Sequence, residues 1–160
     1  MRVLLKLVLD CDPDAAWQAL RSPKVFRAVA APFSYFSSLE PGGFPESWAA
    51  GDHPVQVSAL GLVPVGEQVI TISFPTPRGE TLFVRDSGHG VSGPLALVTE
   101  WEHTMAVTPY PGDKTLYRDQ LKFSAGPMTP VIWPVFWAFW QWRAAQLTRL
   151  ARRWAGAEPF

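Results

Sequence analysis

The chain has 160 residues, enough for one domain and short for two; a single core of that size buries roughly 70% of the surface the unfolded chain exposes, so no metal or disulfide staple is needed. Hydrophobic residues make up 48% and charged residues 18%, which excludes a disordered tail or a coiled coil. Fourteen basic side chains balance fourteen acidic ones, so the totals give no electrostatic case for nucleic acid as a partner.

The opening, MRVLLKLVLDCDPD, has a signal-like apolar run. Lys6 interrupts it, three aspartates end it, and no small-residue cleavage site follows, so a soluble cytoplasmic protein is expected. The one cysteine, Cys11, rules out an intramolecular disulfide and is read as a small buried hydrophobe.

Residues Val3 to Asp10 alternate as a strand, with Val3, Leu5, Leu7 and Leu9 on one side and Lys6 on the wet one. Asp12-Pro13 is a helix start, since the carboxylate accepts orphan N–H groups and proline at the first helical position gives up no bond. That helix runs through Trp17 and Leu20. Ser22-Pro23 repeats the signal and opens a second short helix through Phe26 and Val29, ended by Pro32. Residues 41–54 read as loop, with one short strand at most.

From Val55 the pattern is β. Val55–Leu62, Gly66–Phe74 and Glu80–Asp86 are separated by turn chemistry, and Leu95–Thr108 and Lys114–Ser124 flank the hairpin turn Tyr110-Pro111-Gly112-Asp113. After Gly126 everything reads as one long helix, over about 128–155, with competing starts at Thr129-Pro130 and Trp133-Pro134. No repeat, linker or boundary appears, so residues 1–160 are expected to form a single domain. Adjacent strands without strand–helix alternation imply an antiparallel α+β sheet, with the helix laid across its concave face and a cavity between them.

Three pieces of sequence carry a resemblance. Asp12–Phe26 (DPDAAWQALRSPKVF) follows the first strand, Trp101-Glu102-His103 lies in the next-to-last strand, and Thr115–Phe123 (TLYRDQLKF) is the strand before the final helix. With the element order, these resemble the SRPBCC superfamily of helix-grip proteins, which includes START lipid-binding domains, pollen allergens and aromatic polyketide cyclases. The resemblance implies a curved antiparallel sheet wrapped around a long C-terminal helix, with two short helices after the first strand. It implies a pocket for an apolar molecule, but one fold serves many functions.

Alternation decides which side chains meet that pocket. In Leu95–Thr108 the odd positions include Trp101, His103 and Met105, and in Lys114–Ser124 they are Thr115, Tyr117, Asp119, Leu121 and Phe123; the even ones carry Glu100, Glu102, Arg118 and Lys122. A turn centred near Pro111 places His103 opposite Asp119, Met105 opposite Tyr117 and Trp101 opposite Leu121. A lone carboxylate on an apolar face is costly, and a histidine partner resolves the cost. Three readings of His103 and Asp119 stay open: a structural pair, a polar anchor for a ligand hydroxyl or carbonyl, and an acid–base dyad for proton transfer.

His53 and His89 fall in loops and are expected to be solvated, and their spacing with His103 matches no metal site. No motif calls for a cofactor. The last helix is apolar nearly all round from Trp133 to Trp142; one stripe, through Phe136, Trp140, Leu147, Leu150, Ala151 and Trp154, is expected to roof the cavity. The other face packs under the short helices (Trp17, Phe26), forms a homodimer contact or touches a membrane transiently. A transmembrane span is not expected, because the 15 residues from Met128 to Trp142 cover about 22 Å at helical rise against a hydrocarbon core of about 30 Å.

The expected function is binding of an apolar or aromatic small molecule (lipid, polyketide or isoprenoid-like) between sheet and helix. The lining would be Ile70, Ile72, Trp101, His103, Met105, Tyr117, Asp119, Leu121, Phe123, Phe136 and Trp140. The alternatives are a polyketide cyclase or dehydratase activity using His103 and Asp119, and lipid or quinone transfer at a membrane surface.

Overall fold

The computed structural model of the chain describes residues 1–154. Strand β1 is Arg2–Leu9, with Val3 and Leu9 buried and Leu4 and Val8 exposed, as alternation requires. Helix α1 is Pro13–Leu20 and α2 is Pro23–Ala30. Each begins as its sequence signal dictates: Asp12 Oδ1 accepts from the Asp14 N–H at 2.8 Å, and Ser22 Oγ accepts from the Val25 N–H at 3.4 Å.

Seven strands follow from there. They are β2 (Ser34–Ser38), β3 (Gly51–Ala59), β4 (Val63–Ser73), β5 (Leu82–Asp86), β6 (His89–Gly90), β7 (Glu100–Tyr110) and β8 (Lys114–Ser124). The sheet runs β1-β8-β7-β5-β4-β3-β2, every pair antiparallel, with the short β6 added to β4. Helix α3, Thr129–Trp154, closes the described chain; its expected end at residue 155 lies outside the described residues. This is the expected helix-grip order, and the cavity described below is walled by β2 through β7 on one side and α3 on the other.

Four expectations need correction. Strand β2 was not anticipated: no element is expected between Pro32 and Pro41, where its Ser-rich sequence carries little apolar alternation, and its Phe36 pairs with Val57 at the sheet edge. Strand β3 begins at Gly51, four residues before the apolar run, so His53 is a strand residue. Leu95 and Leu97 are not in β7 but in a short 3-10 helix, Gly93–Leu97, which Pro94 starts. The last correction is register. The β7–β8 turn is the three residues Pro111–Asp113, with Gly112 at φ +80 and Asp113 at φ +53, so it centres on Gly112. Directly opposed pairs are therefore His103 with Leu121, Met105 with Asp119, Val107 with Tyr117 and Trp101 with Phe123. The slip is two residues, not one, so every side chain keeps its face.

Helix α3 takes the earlier of its two starts. Thr129 Oγ1 accepts from the Ala125 N–H at 2.8 Å and donates to the Gly126 carbonyl at 2.7 Å, which pins the first turn to the end of β8. Pro134 lies inside the helix and leaves the Pro130 carbonyl without its N–H partner. Trp140, Ala144, Leu147, Ala151 and Trp154 form the buried stripe, and Arg149, Arg152 and Arg153 are exposed.

The opposite face of α3 is divided. Trp142 donates its indole N–H to the Ala31 carbonyl at 2.8 Å and meets Phe33 edge-on, so the α2–β2 connection covers that part. Val131, Val135 and Trp137 remain exposed, at 64%, 67% and 48%. Trp17 and Phe26 do not cover them: Trp17 packs on Phe74 and Phe26 on Phe36 and Trp48. No helix among the described residues is long and apolar enough to cross a membrane.

Candidate functional site

The odd positions of β7 and β8 face inward. His103, Met105 and Val107 are buried, as are Thr115, Tyr117, Asp119, Leu121 and Phe123, while Glu100, Arg118 and Lys122 are exposed. Lys122 and Glu102 pair on the outer surface at 2.8 Å.

Asp119 is the hub of the inner face and is 4% exposed. Its Oδ1 accepts from His103 Nε2 at 2.9 Å and from the Trp140 indole N–H at 2.9 Å, and its Oδ2 accepts from the Tyr117 hydroxyl at 2.7 Å. Burial raises the carboxyl, but the charge and hydrogen bond of His103, the charge of Arg143 and the Tyr117 hydroxyl outweigh it and hold Asp119 at about 2. Tyr117 moves the other way: burial, then the Asp119 charge, push its phenol well above the ordinary value, so it remains a neutral donor. With Asp119 ionised and accepting, the proton in the His103–Asp119 bond sits on Nε2. In a neutral imidazole the Nδ1 lone pair is then free, and Nδ1 makes no hydrogen bond within the described residues.

A second buried carboxylate stands beside this histidine and was missed in the sequence. Asp86, 7% exposed, ends β5 directly opposite His103. Its Oδ1 accepts from the backbone N–H groups of Thr71 (3.0 Å) and Gly88 (2.9 Å), and its Oδ2 from the Trp101 indole N–H (3.0 Å). Burial pushes its carboxyl above the ordinary value, against the pull of these donors and of the His103 charge. The signal was present: Leu82, Val84 and Asp86 share one parity, so a strand with two apolar inward residues ends in an inward carboxylate. Gly88 makes this possible, because a Cβ there would lie 1.8 Å from the Val69 carbonyl oxygen.

These groups lie at the junction of two spaces. The inner one, about 50 Å³, is lined by Ile70, Ile72, Met105, Tyr117 and Asp119 among others. The outer one, about 770 Å³, runs from β2 and the 3-10 helix to α3, with Trp101, Phe136, Phe139 and Trp140 on its wall. Phe26, Asp86, His103 and Arg143 line both. Nine of the eleven expected lining residues are thus on one or the other. Leu121 and Phe123 are on neither: both are buried against Val3 and Trp140 in a packed patch between β1, β8 and α3. They fill space where they were expected to border it, because α3 lies closest to the sheet there.

The other histidines do not converge on His103. His53 is buried rather than solvated, with Nε2 donating to the Ala49 carbonyl at 3.0 Å, Nδ1 3.3 Å from Glu40, and its ring against Trp48. His89 is exposed on β6 at the edge of the outer space. No group of three potential metal ligands occurs among the described residues. Cys11 is buried, and that burial pushes its thiol upward, as suits a packing residue.

No protein-family model matches the chain, and no curated protein matches it in sequence. Solved structures do match its fold. A norcoclaurine synthase point mutant from Thalictrum flavum, in complex with a transition-state analogue, superposes with a TM-score of 0.65 at 15% identity, over 96% of this chain and 94% of that one. The Zhui aromatase/cyclase from Streptomyces sp. R1128 gives 0.62 at 11% identity, over 96% and 94%. A protein from Arthrobacter aurescens, known by its solution structure, gives 0.69 at 12% identity, over 95% and 86%. The chain has the helix-grip fold that these proteins share.

Proposed function

We propose that the chain binds one apolar or aromatic small molecule in the space between the sheet and α3. The observation that carries this is a cavity of about 770 Å³ with a wall of Phe33, Phe36, Trp101, Phe136, Phe139 and Trp140. Of its polar lining, Asp86, His103 and Arg143 also line the inner space and so stand together where the two meet, while Ser34, Gln68 and His89 lie elsewhere on the wall. Ligand sites have this size and character, with an apolar lining and a few convergent polar groups that fix orientation. His103 is the anchor: Asp119 holds Nε2–H, which leaves Nδ1 to accept from a ligand hydroxyl. Native mass spectrometry of freshly purified protein is expected to show a co-purifying apolar mass, and Nile red to gain fluorescence in the folded protein. Folded protein that carries no such mass and takes up no dye would overturn the reading.

A second reading has its own support. An imidazole oriented by a buried ionised carboxylate, with its other nitrogen unengaged at a cavity wall, is the arrangement a general base requires. Two of the structural relatives carry the names of a synthase and an aromatase/cyclase. On this reading the molecule bound is a polyketide-like or isoprenoid substrate, and the step is proton abstraction by His103 Nδ1 in a cyclisation or dehydration. His103→Gln is then expected to abolish turnover while binding persists. Unchanged turnover in that variant would leave the binding role alone.

A further inference from the structure

We infer that the molecule bound carries a carboxylate and that Arg143 receives it; this rests on the cavity being a ligand site. Arg143 is half-buried on α3 and lines both spaces. Its guanidinium carbon lies 4.9 Å from the Trp140 ring centroid and 6.0 Å from that of Phe139, so the aromatic wall of the cavity holds it in place. It forms no ion pair and no hydrogen bond within the described residues. The charge reaches Asp119, whose carboxyl it helps to lower, but the Asp119 oxygens are already taken by His103, Trp140 and Tyr117. Asp86 is likewise engaged by three N–H donors.

The result is a planar fork of five N–H donors at an apolar cavity, with the oxygens of Asp86 and Asp119, the carboxylates that line these spaces among the described residues, already accepting hydrogen bonds. Guanidinium forks match carboxylates bidentately, and partial removal from water strengthens such a pair. A monoanion suits the site better than a phosphate. One fork neutralises one charge, and a second negative charge would face Asp86 and Asp119. The ligand class is therefore an amphipathic acid: an aromatic or isoprenoid body along Trp101, Phe136 and Phe139, and a carboxylate at Arg143.

A matched probe pair tests this. Pyrene-1-butyric acid and pyrene-1-butanol share the ring and the chain and differ in the head group. The acid is expected to bind the native protein at least tenfold more tightly than the alcohol. Arg143→Gln should remove that preference by weakening the acid about tenfold and leaving the alcohol unchanged, and Arg143→Lys, which keeps the charge without the fork, should fall between. Equal affinity of the native protein for both probes overturns the proposal and leaves the cavity reading standing, and so does an equal loss for both in Arg143→Gln. Failure of both probes to bind folded native protein overturns the cavity reading, and the carboxylate with it. The native comparison needs no variant, so a misfolded substitution cannot obscure the answer.

Discussion

Asp119 and His103 meet on the diagonal of the β7–β8 ladder: Met105 stands directly opposite Asp119 and Leu121 directly opposite His103, yet His103 Nε2 lies 2.9 Å from Asp119 Oδ1. Diagonal neighbours on one face of a sheet are within reach of long side chains. The diagonal also frees Asp119 to collect Tyr117 from its own strand and Trp140 from α3, so one carboxylate ties three elements together.

Asp119→Asn should be costly for that reason. The amide keeps one acceptor oxygen and turns an N–H toward a neighbouring donor, so a buried polar group is left unpaired. Leaving a buried hydrogen-bonding group unpaired costs about 1–3 kcal/mol, more where the lost acceptor was charged, and a loss of at least that order is expected by urea unfolding. Asp119→Asn made in a His103→Leu background should cost clearly less than in the native chain, because their coupling is already gone. Additive losses would show that the diagonal bond contributes nothing.

The two carboxylates predict opposite limbs of a stability profile. Asp119 is lowered in the folded state to about 2 from 3.8, so its contribution is complete above pH 3.8 and disappears as pH falls toward 2. Asp86 is raised above 3.8, so the folded state binds more protons than the unfolded one there, and stability falls as pH rises from 3.8 through its folded value. In urea unfolding the joint contribution of these two groups should therefore rise up to pH 3.8 and fall above it, on top of the rising limb of Glu102, whose carboxyl the Lys122 hydrogen bond holds below 4.5. Asp86→Asn should flatten the falling limb and leave the rising one, with a loss of about 1 kcal/mol at low pH where the Trp101 N–H loses its acceptor. A falling limb that persists in Asp86→Asn would assign it to another group.

Which parts of this were legible follows from the range of the interactions. Asp12-Pro13 and Ser22-Pro23 are caps whose partners lie two or three residues away, so the sequence contains the whole interaction. The inward face of the last hairpin depends only on parity, and a two-residue error in register leaves parity untouched. What depends on distant chain was not legible. Strand β2 is held by β3, and although parity turns Asp86 inward and Gly88 is close in sequence, only the pairing of β5 with β7 and the approach of Thr71 and Trp101 put it beside His103. Leu121 and Phe123 have the parity of lining residues, but the approach of α3, set by Trp133 donating to the Arg2 carbonyl at 2.9 Å, fills the space above them.

Gly88 and Gly42 form a controlled pair. A Cβ at Gly88 would meet the Val69 carbonyl oxygen at 1.8 Å and displace the N–H that Asp86 Oδ1 accepts, whereas one at Gly42 meets nothing within 4 Å. Gly88→Ala is expected to cost at least about 2 kcal/mol, combining backbone overpacking with a lost charge-assisted bond. Gly42→Ala should stay within about 0.5 kcal/mol of the native chain. Thermal unfolding distinguishes them, and equal midpoints would show that β6 has room to move away from β4.

The cavity itself can be closed from its rim. Leu95 is half-buried in the 3-10 helix Gly93–Leu97 and faces the outer space across from Phe136 and Phe139 on α3. Leu95→Trp adds an aromatic side chain to that space without deleting any hydrogen bond at His103, Asp119 or Asp86. Because the neighbouring volume is open, the strain of overpacking, about 1–3 kcal/mol in a filled core, should largely be absent. Nile red binding is expected to weaken at least tenfold while the unfolding midpoint moves by less than about 4 °C, the shift that about 1 kcal/mol produces at this size. Undiminished dye binding in a stable Leu95→Trp protein would place the dye somewhere other than between the sheet and α3, and the cavity would no longer account for binding.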